Sequence, residues 1–110
     1  MESRSAKGGG HMKPESEVRE DLNNIRYYYA HRKEMDDGYL VTGEHEIMQT
    51  VRAYNAAMRK APLLLYDVYV RMYIRNGKAM AVAVEMNYSD EYIRKLKRAM
   101  IAYLCRNVQI

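Results

Sequence analysis

Four charged residues near the C-terminus, Glu91, Arg94, Lys95 and Arg98, are spaced so that a helix would carry them on one face. Guanidinium and ammonium groups presented together bind phosphate oxygens and reach guanine edges. A carboxylate among them accepts from cytosine but is repelled by phosphate. That is the chemistry of a face that docks on nucleic acid. Other candidate chemistries fail on spacing. His45 and Glu46 begin like a zinc-protease helix, yet Gln49 stands where the second histidine is required, so the ligand pair is absent. Cys105 is the one cysteine, which excludes an internal disulfide framework and a paired-thiolate zinc site; it reads as a small apolar residue on a terminal helix. Gly38, Gly43 and Gly77 are isolated turn glycines, so there is no phosphate-binding loop and no dinucleotide fingerprint. Tyr27, Tyr28 and Tyr29 could stack on single-stranded bases, but three consecutive helical residues spread over about 200° of arc. Tyr29 is therefore expected in the core, with Tyr27 and Tyr28 at a partner interface. The expectation is a protein that is not an enzyme, with no cofactor and no metal.

Charge distribution favours the same end of the chain. From Lys13 to Val70 there are eight Lys and Arg against ten Asp and Glu; from Arg71 to Ile110 there are eight against three. A basic end on a mildly acidic body suits a module that displaces counterions from phosphates. With 110 residues and 48% hydrophobic content the chain can bury one modest core. No apolar run is long enough to span a membrane, and the N-terminus lacks the apolar stretch of a secretory signal, so a cytoplasmic protein is expected. Nine methionines, several on faces expected to be buried, read as a plastic core rather than an adaptable groove.

These side chains need elements to position them. Met1 to Met12, with three consecutive glycines at 8–10, reads as vector-derived sequence, and residues through about Lys13 are expected to pack on nothing. Val18, Leu22, Ile25 and Tyr29 recur at helical spacing from Glu15 to about Met35, and Asp36, Asp37 and Gly38 break the run. A second helix starts near Thr42 or Gly43, carries Ile47, Val51, Tyr54 and Met58 on one face, and stops before Pro62. A third runs through Leu64, Leu65, Val68, Tyr69, Met72 and Tyr73, with Asn76 and Gly77 supplying left-handed geometry at its end. Then come a short apolar helix, Lys78 to Met86, a turn at Asn87, Tyr88 and Ser89, and a last helix from Asp90 to about Arg106. Ser89 is a good N-cap, and Tyr88 is spaced to staple against Ile93. The prediction is an all-α, five-helix single domain: a helical pair over 13–61 and a C-terminal helix-turn-helix region over 62–110 packed on it.

Within residues 76–104 three spacings support the helix-turn-helix. Ala83 is small enough for two helices to approach, Asn87 tolerates positive φ four residues later, and Ile93 locks the second helix six further on. Ile93, Leu96, Met100, Tyr103 and Leu104 fall on the side of the last helix away from the basic face. The segment Leu63 to Leu104 resembles region four of bacterial sigma factors, the part that reads the upstream promoter element, and small phage regulators with the same module. The stretches Ile25 to Met35, Val51 to Asn55 and Ala61 to Tyr69 are similar to short proteins of phages and mobile elements in Gram-positive bacteria. Two departures stand out: the turn carries Asn87 in place of the usual glycine, and Met80 and Val82 replace charged residues, as if the N-terminal helices or a second chain covered that helix.

The resemblance implies a sequence-specific transcriptional regulator that binds double-stranded DNA, acting as an accessory factor or repressor, with RNA polymerase or a second copy of the chain as further partners. Arg94, Lys95 and Arg98 would face the duplex, Glu91 the base edges, and Lys78 and Ser89 the backbone. The competing expectation is a helical protein-interaction module of anti-sigma or anti-repressor type that binds no DNA.

Overall fold

The computed structural model describes residues 12–32 and 42–108, of residues 42–45 the backbone only. The expected vector remnant before Met12 and the break at Asp36 to Gly38 lie outside the described residues. Helix α1, Glu15–Ala30, has Glu15 and Glu17 in its first turn, where carboxylates oppose the helix dipole. It buries Val18, Leu22, Ile25 and Tyr28 along one stripe. It ends at Ala30, and the N–H of the capping His31 is shared between the Tyr27 and Tyr28 carbonyls; Met35, where the sequence places the end of this helical run, lies outside the described residues. At Lys13 itself the expectation that the segment packs on nothing is corrected. Its backbone N–H donates to the Cys105 carbonyl at 2.8 Å, and its ammonium lies 3.3 Å from both Glu17 and Asp21. The entry to α1 is thereby tied to the last turn of the chain's final helix, where carbonyls lack intrahelical donors.

Helix α2, Thr42–Arg59, buries Val51, Tyr54, Ala57 and Met58. Helix α3, Leu63–Tyr69, follows Pro62 and passes into a π-helical turn at Val70–Ile74. The sequence predicts one regular helix here. In the structure the Arg75 N–H reaches back five residues to the Val70 carbonyl at 2.9 Å, both Met72 and Tyr73 are buried, and Arg26 of α1 donates to the Met72 carbonyl at 3.2 Å. Asn76 takes the left-handed conformation with φ 61°. Gly77 serves a different purpose, since a Cβ there would lie 2.7 Å from the Arg71 carbonyl oxygen that its own N–H binds.

Helix α4, Ala79–Met86, and helix α5, Asp90–Asn107, complete the fold. The described residues form an all-α fold of five α-helices without a strand. Helix α5 is its axis and packs against each of the other four. That position explains why it buries Ile101 and Cys105 as well as the expected Ile93, Leu96, Met100 and Leu104, since neighbours close on more than one side. Tyr103 stays half-buried and donates its hydroxyl to the Ala57 carbonyl at 2.8 Å.

Tyrosine hydroxyls inside the bundle are satisfied in pairs and relays. Tyr54 donates to Asp21 at 2.7 Å, Tyr69 to Asn55 at 2.7 Å, and the Asn55 amide donates to Tyr29 at 3.0 Å. Burial pushes the Tyr54 and Tyr69 hydroxyls well above the ordinary tyrosine range. The tyrosine run is corrected at Tyr28, which is 5% exposed and belongs to the core, because it continues the i, i+3, i+4 stripe of Leu22 and Ile25. Its ring meets that of Tyr29 edge-on. Tyr27 is exposed and stacks on His31, with centroids 4.2 Å apart.

Candidate nucleic-acid interface

The corner between α4 and α5 is built from three backbone devices that the residue types dictate. Asn87 adopts φ 63°, ψ 43°, the left-handed geometry that asparagine accepts more readily than most residues. The Tyr88 N–H then donates to the Ala83 carbonyl at 2.9 Å and the Asn87 N–H to the Val84 carbonyl at 3.2 Å, which closes α4 in a Schellman arrangement. Ser89 opens α5, its Oγ accepting from the Tyr92 N–H at 3.1 Å. Ile93 is fully buried as the spacing requires, and Ala83 is buried where the helices approach. The Tyr88 ring meets that of Tyr92 edge-on, with centroids 4.8 Å apart.

Glu91, Arg94, Lys95 and Arg98 are all exposed on the outer side of α5. Arg94 and Arg98 are one helical turn apart, as are Glu91 and Lys95, so the four make one continuous face. Among the described residues no ion pair occupies Arg94, Lys95 or Arg98. Arg71 differs, and the charge count alone could not separate it from them. Its guanidinium is 3.0 Å from Asp67 and 2.7 Å from Glu85, so it braces α4 against α3. Those carboxylates hold its pKa above the ordinary arginine value. The free basic charge of the C-terminal segment is therefore concentrated on α5. Lys78 is exposed at the start of α4, where its carbonyl accepts from the Val82 N–H at 2.9 Å. Ser89 is exposed at the start of α5, with its Oγ engaged in the cap.

The outer side of α4 is apolar. Met80 is 69% and Val84 80% exposed, and in the described residues no helix covers them, whereas Val82 is buried. Cover from within the chain therefore reaches Val82 and does not reach Met80. Met80 and Val84 are one helical turn apart on this side, and beyond the corner Tyr88 and Tyr92 are also exposed.

A residue that the spacing argument missed is Lys97. It lies one helical turn before Ile101 and lines a cleft between α1, the π turn and α5 together with Arg19, Leu22, Asn23, Tyr73 and Ile101. Burial, with Arg19 and Arg26 nearby, lowers its pKa. The available signal was its place beside the buried stripe of α5, between Leu96 and Met100. Among the described residues no three His, Cys, Asp or Glu side chains gather to hold a metal, and His45 lies among residues described by backbone only. No helix among them is long and apolar enough to cross a membrane.

No protein family, curated protein or solved structure matches the chain.

Proposed function

We propose that the protein is a sequence-specific, DNA-binding transcriptional regulator, with α4, the Asn87 to Ser89 corner and α5 acting as a helix-turn-helix. The observation that carries this reading is the unpaired basic face of α5, held outward by a helix whose opposite side is the axis of the core. A recognition helix needs this division, because base and phosphate contacts demand a fixed presentation of cationic side chains. The left-handed corner at Asn87 and the Ser89 cap set the angle and the start of α5. In this reading Arg94, Lys95 and Arg98 contact guanine edges or phosphates, Glu91 discriminates among bases, and Lys78 and the Ser89 hydroxyl donate to the backbone. The resemblance of Leu63 to Leu104 to sigma region four fits the same assignment and points to an accessory factor or repressor of phage or mobile-element type.

The test is a titration of the full chain against duplex DNA at two salt concentrations. Binding should weaken with a log–log slope of about −0.9 for each phosphate neutralised. Absence of binding at low salt would overturn the reading. A second reading, a helical protein-interaction module without DNA binding, is favoured by one observation, the exposed apolar side of α4 at Met80 and Val84.

A further inference from the structure

The cleft lined by Lys97 has an unusual composition for a surface depression on a folded chain. Its volume is about 220 Å³, and its lining residues, Arg19, Leu22, Asn23, Tyr73, Lys97 and Ile101, include two cations and an amide but no carboxylate. Arg26 stands beside it, with its guanidinium 4.8 Å above the Tyr73 ring. Arg19 is shared with Glu15 of the same helix at 2.8 Å, and Arg26 donates to the Met72 carbonyl. Lys97 has neither kind of relief: no carboxylate or carbonyl among the described residues reaches its ammonium. Tyr73 adds a second, independent sign. It is 3% exposed and lines the cleft, yet no described residue hydrogen-bonds its hydroxyl. A buried hydroxyl without a partner is costly, and so is a half-buried ammonium facing two guanidinium groups. One ligand would relieve both, an oxyanion that accepts from the ammonium, the phenol and the Asn23 amide.

We propose that the cleft between α1, the π turn and α5 is a binding site for a phosphate group, held by Lys97, Arg19, Asn23 and the Tyr73 hydroxyl. Its size favours a single oxyanion with part of its attached group, since pockets for drug-sized ligands run from about 300 to 1,000 Å³. The lowered pKa of Lys97 agrees with a cation that lacks its counterion. The site is independent of the DNA reading. Lys97 lies three residues after Arg94 on α5, so the phosphate has two possible sources, a small phosphorylated molecule or a duplex backbone that runs past the basic face.

Amide proton–nitrogen correlation spectra of the labelled full chain, titrated with inorganic phosphate and with chloride at matched ionic strength, test the site. Saturable shifts in phosphate alone, centred on Arg19, Asn23, Tyr73 and Lys97, are expected. Lys97→Met should weaken phosphate binding about tenfold or more, Tyr73→Phe severalfold, and Lys60→Met, which removes an equal charge from the end of α2, not at all. Shifts that grow without saturation, or affinity equal to wild type in both Lys97→Met and Tyr73→Phe, would overturn the proposal. With duplex DNA in place of phosphate, a salt slope flattened by about one unit in Lys97→Met identifies the backbone as the source. An unchanged slope identifies a small phosphorylated ligand. Phosphate binding in a chain that binds no duplex would overturn the DNA reading and leave this site standing.

Discussion

Helices α4 and α5 meet at one left-handed corner and turn opposite chemistries outward. Helix α4 buries only Val82 and Ala83 and exposes Met80 and Val84; α5 buries six residues and exposes Glu91, Arg94, Lys95 and Arg98. The short helix is held by the burial of Val82 and Ala83 and by its closing turn, the long one by the whole bundle. Both outer faces are exposed, but only α5 projects its side chains from a helix packed against all four others, as a surface that must read a fixed pattern of charge requires. The apolar side chains of α4 make no such demand.

The difference between inner and outer faces sets the largest expected effect. Leu104→Ala, at a fully buried position on α5, should cost about 2–5 kcal/mol in chemical denaturation, whereas Val84→Ala on the outer side of α4 should stay within about 0.5 kcal/mol. Equal costs would mean that Val84 is covered in solution and that α4 is an interface. The corner comes next. Asn87→Val forces a β-branched residue into left-handed geometry and should cost about 1–2 kcal/mol, while Asn87→Gly should be nearly neutral. Loss of duplex affinity in Asn87→Val beyond its loss of stability would tie the corner's angle to binding.

The smallest effect is a pH dependence of the core that supports both helices. Burial raises the hydroxyl pKa of Tyr54 and Tyr69 in the folded state, so their contribution is complete below the ordinary tyrosine value of 10.0 and is lost as pH rises beyond it. Thermal stability should fall on the alkaline side of that value, and Tyr54→Phe should make the fall shallower. A decline just as steep in Tyr54→Phe would contradict the assignment.

The elements that α5 and its corner depend on were legible because they are local. Ser89, Asn87 and the Ile93, Leu96, Met100, Leu104 stripe announce a cap, a left-handed stop and a buried face through residue type and spacing alone. What was not legible depends on contacts between distant segments. The π turn at Val70–Ile74 breaks no propensity rule, and the Arg26 hydrogen bond that accompanies it comes from a residue 46 positions away. Tyr28 escapes the spacing because the tyrosine run offers three candidates for one stripe, and the packing of α1 decides among them. Arg71 and Lys97 look alike beside Arg94 in a charge count, yet one is neutralised by Asp67 and Glu85 and the other faces Arg19 and Arg26 in a cleft.

The claim that α5 presents a DNA-binding face is tested most directly by charge reversal on that face alone. Arg94→Glu with Arg98→Glu leaves every buried residue in place, so the double variant should melt close to wild type. Its affinity for duplex DNA, measured by fluorescence anisotropy at low salt, should fall by at least about a hundredfold, and its salt slope should flatten by about one unit for each phosphate no longer neutralised. A folded double variant that binds duplex as tightly as wild type would contradict the account.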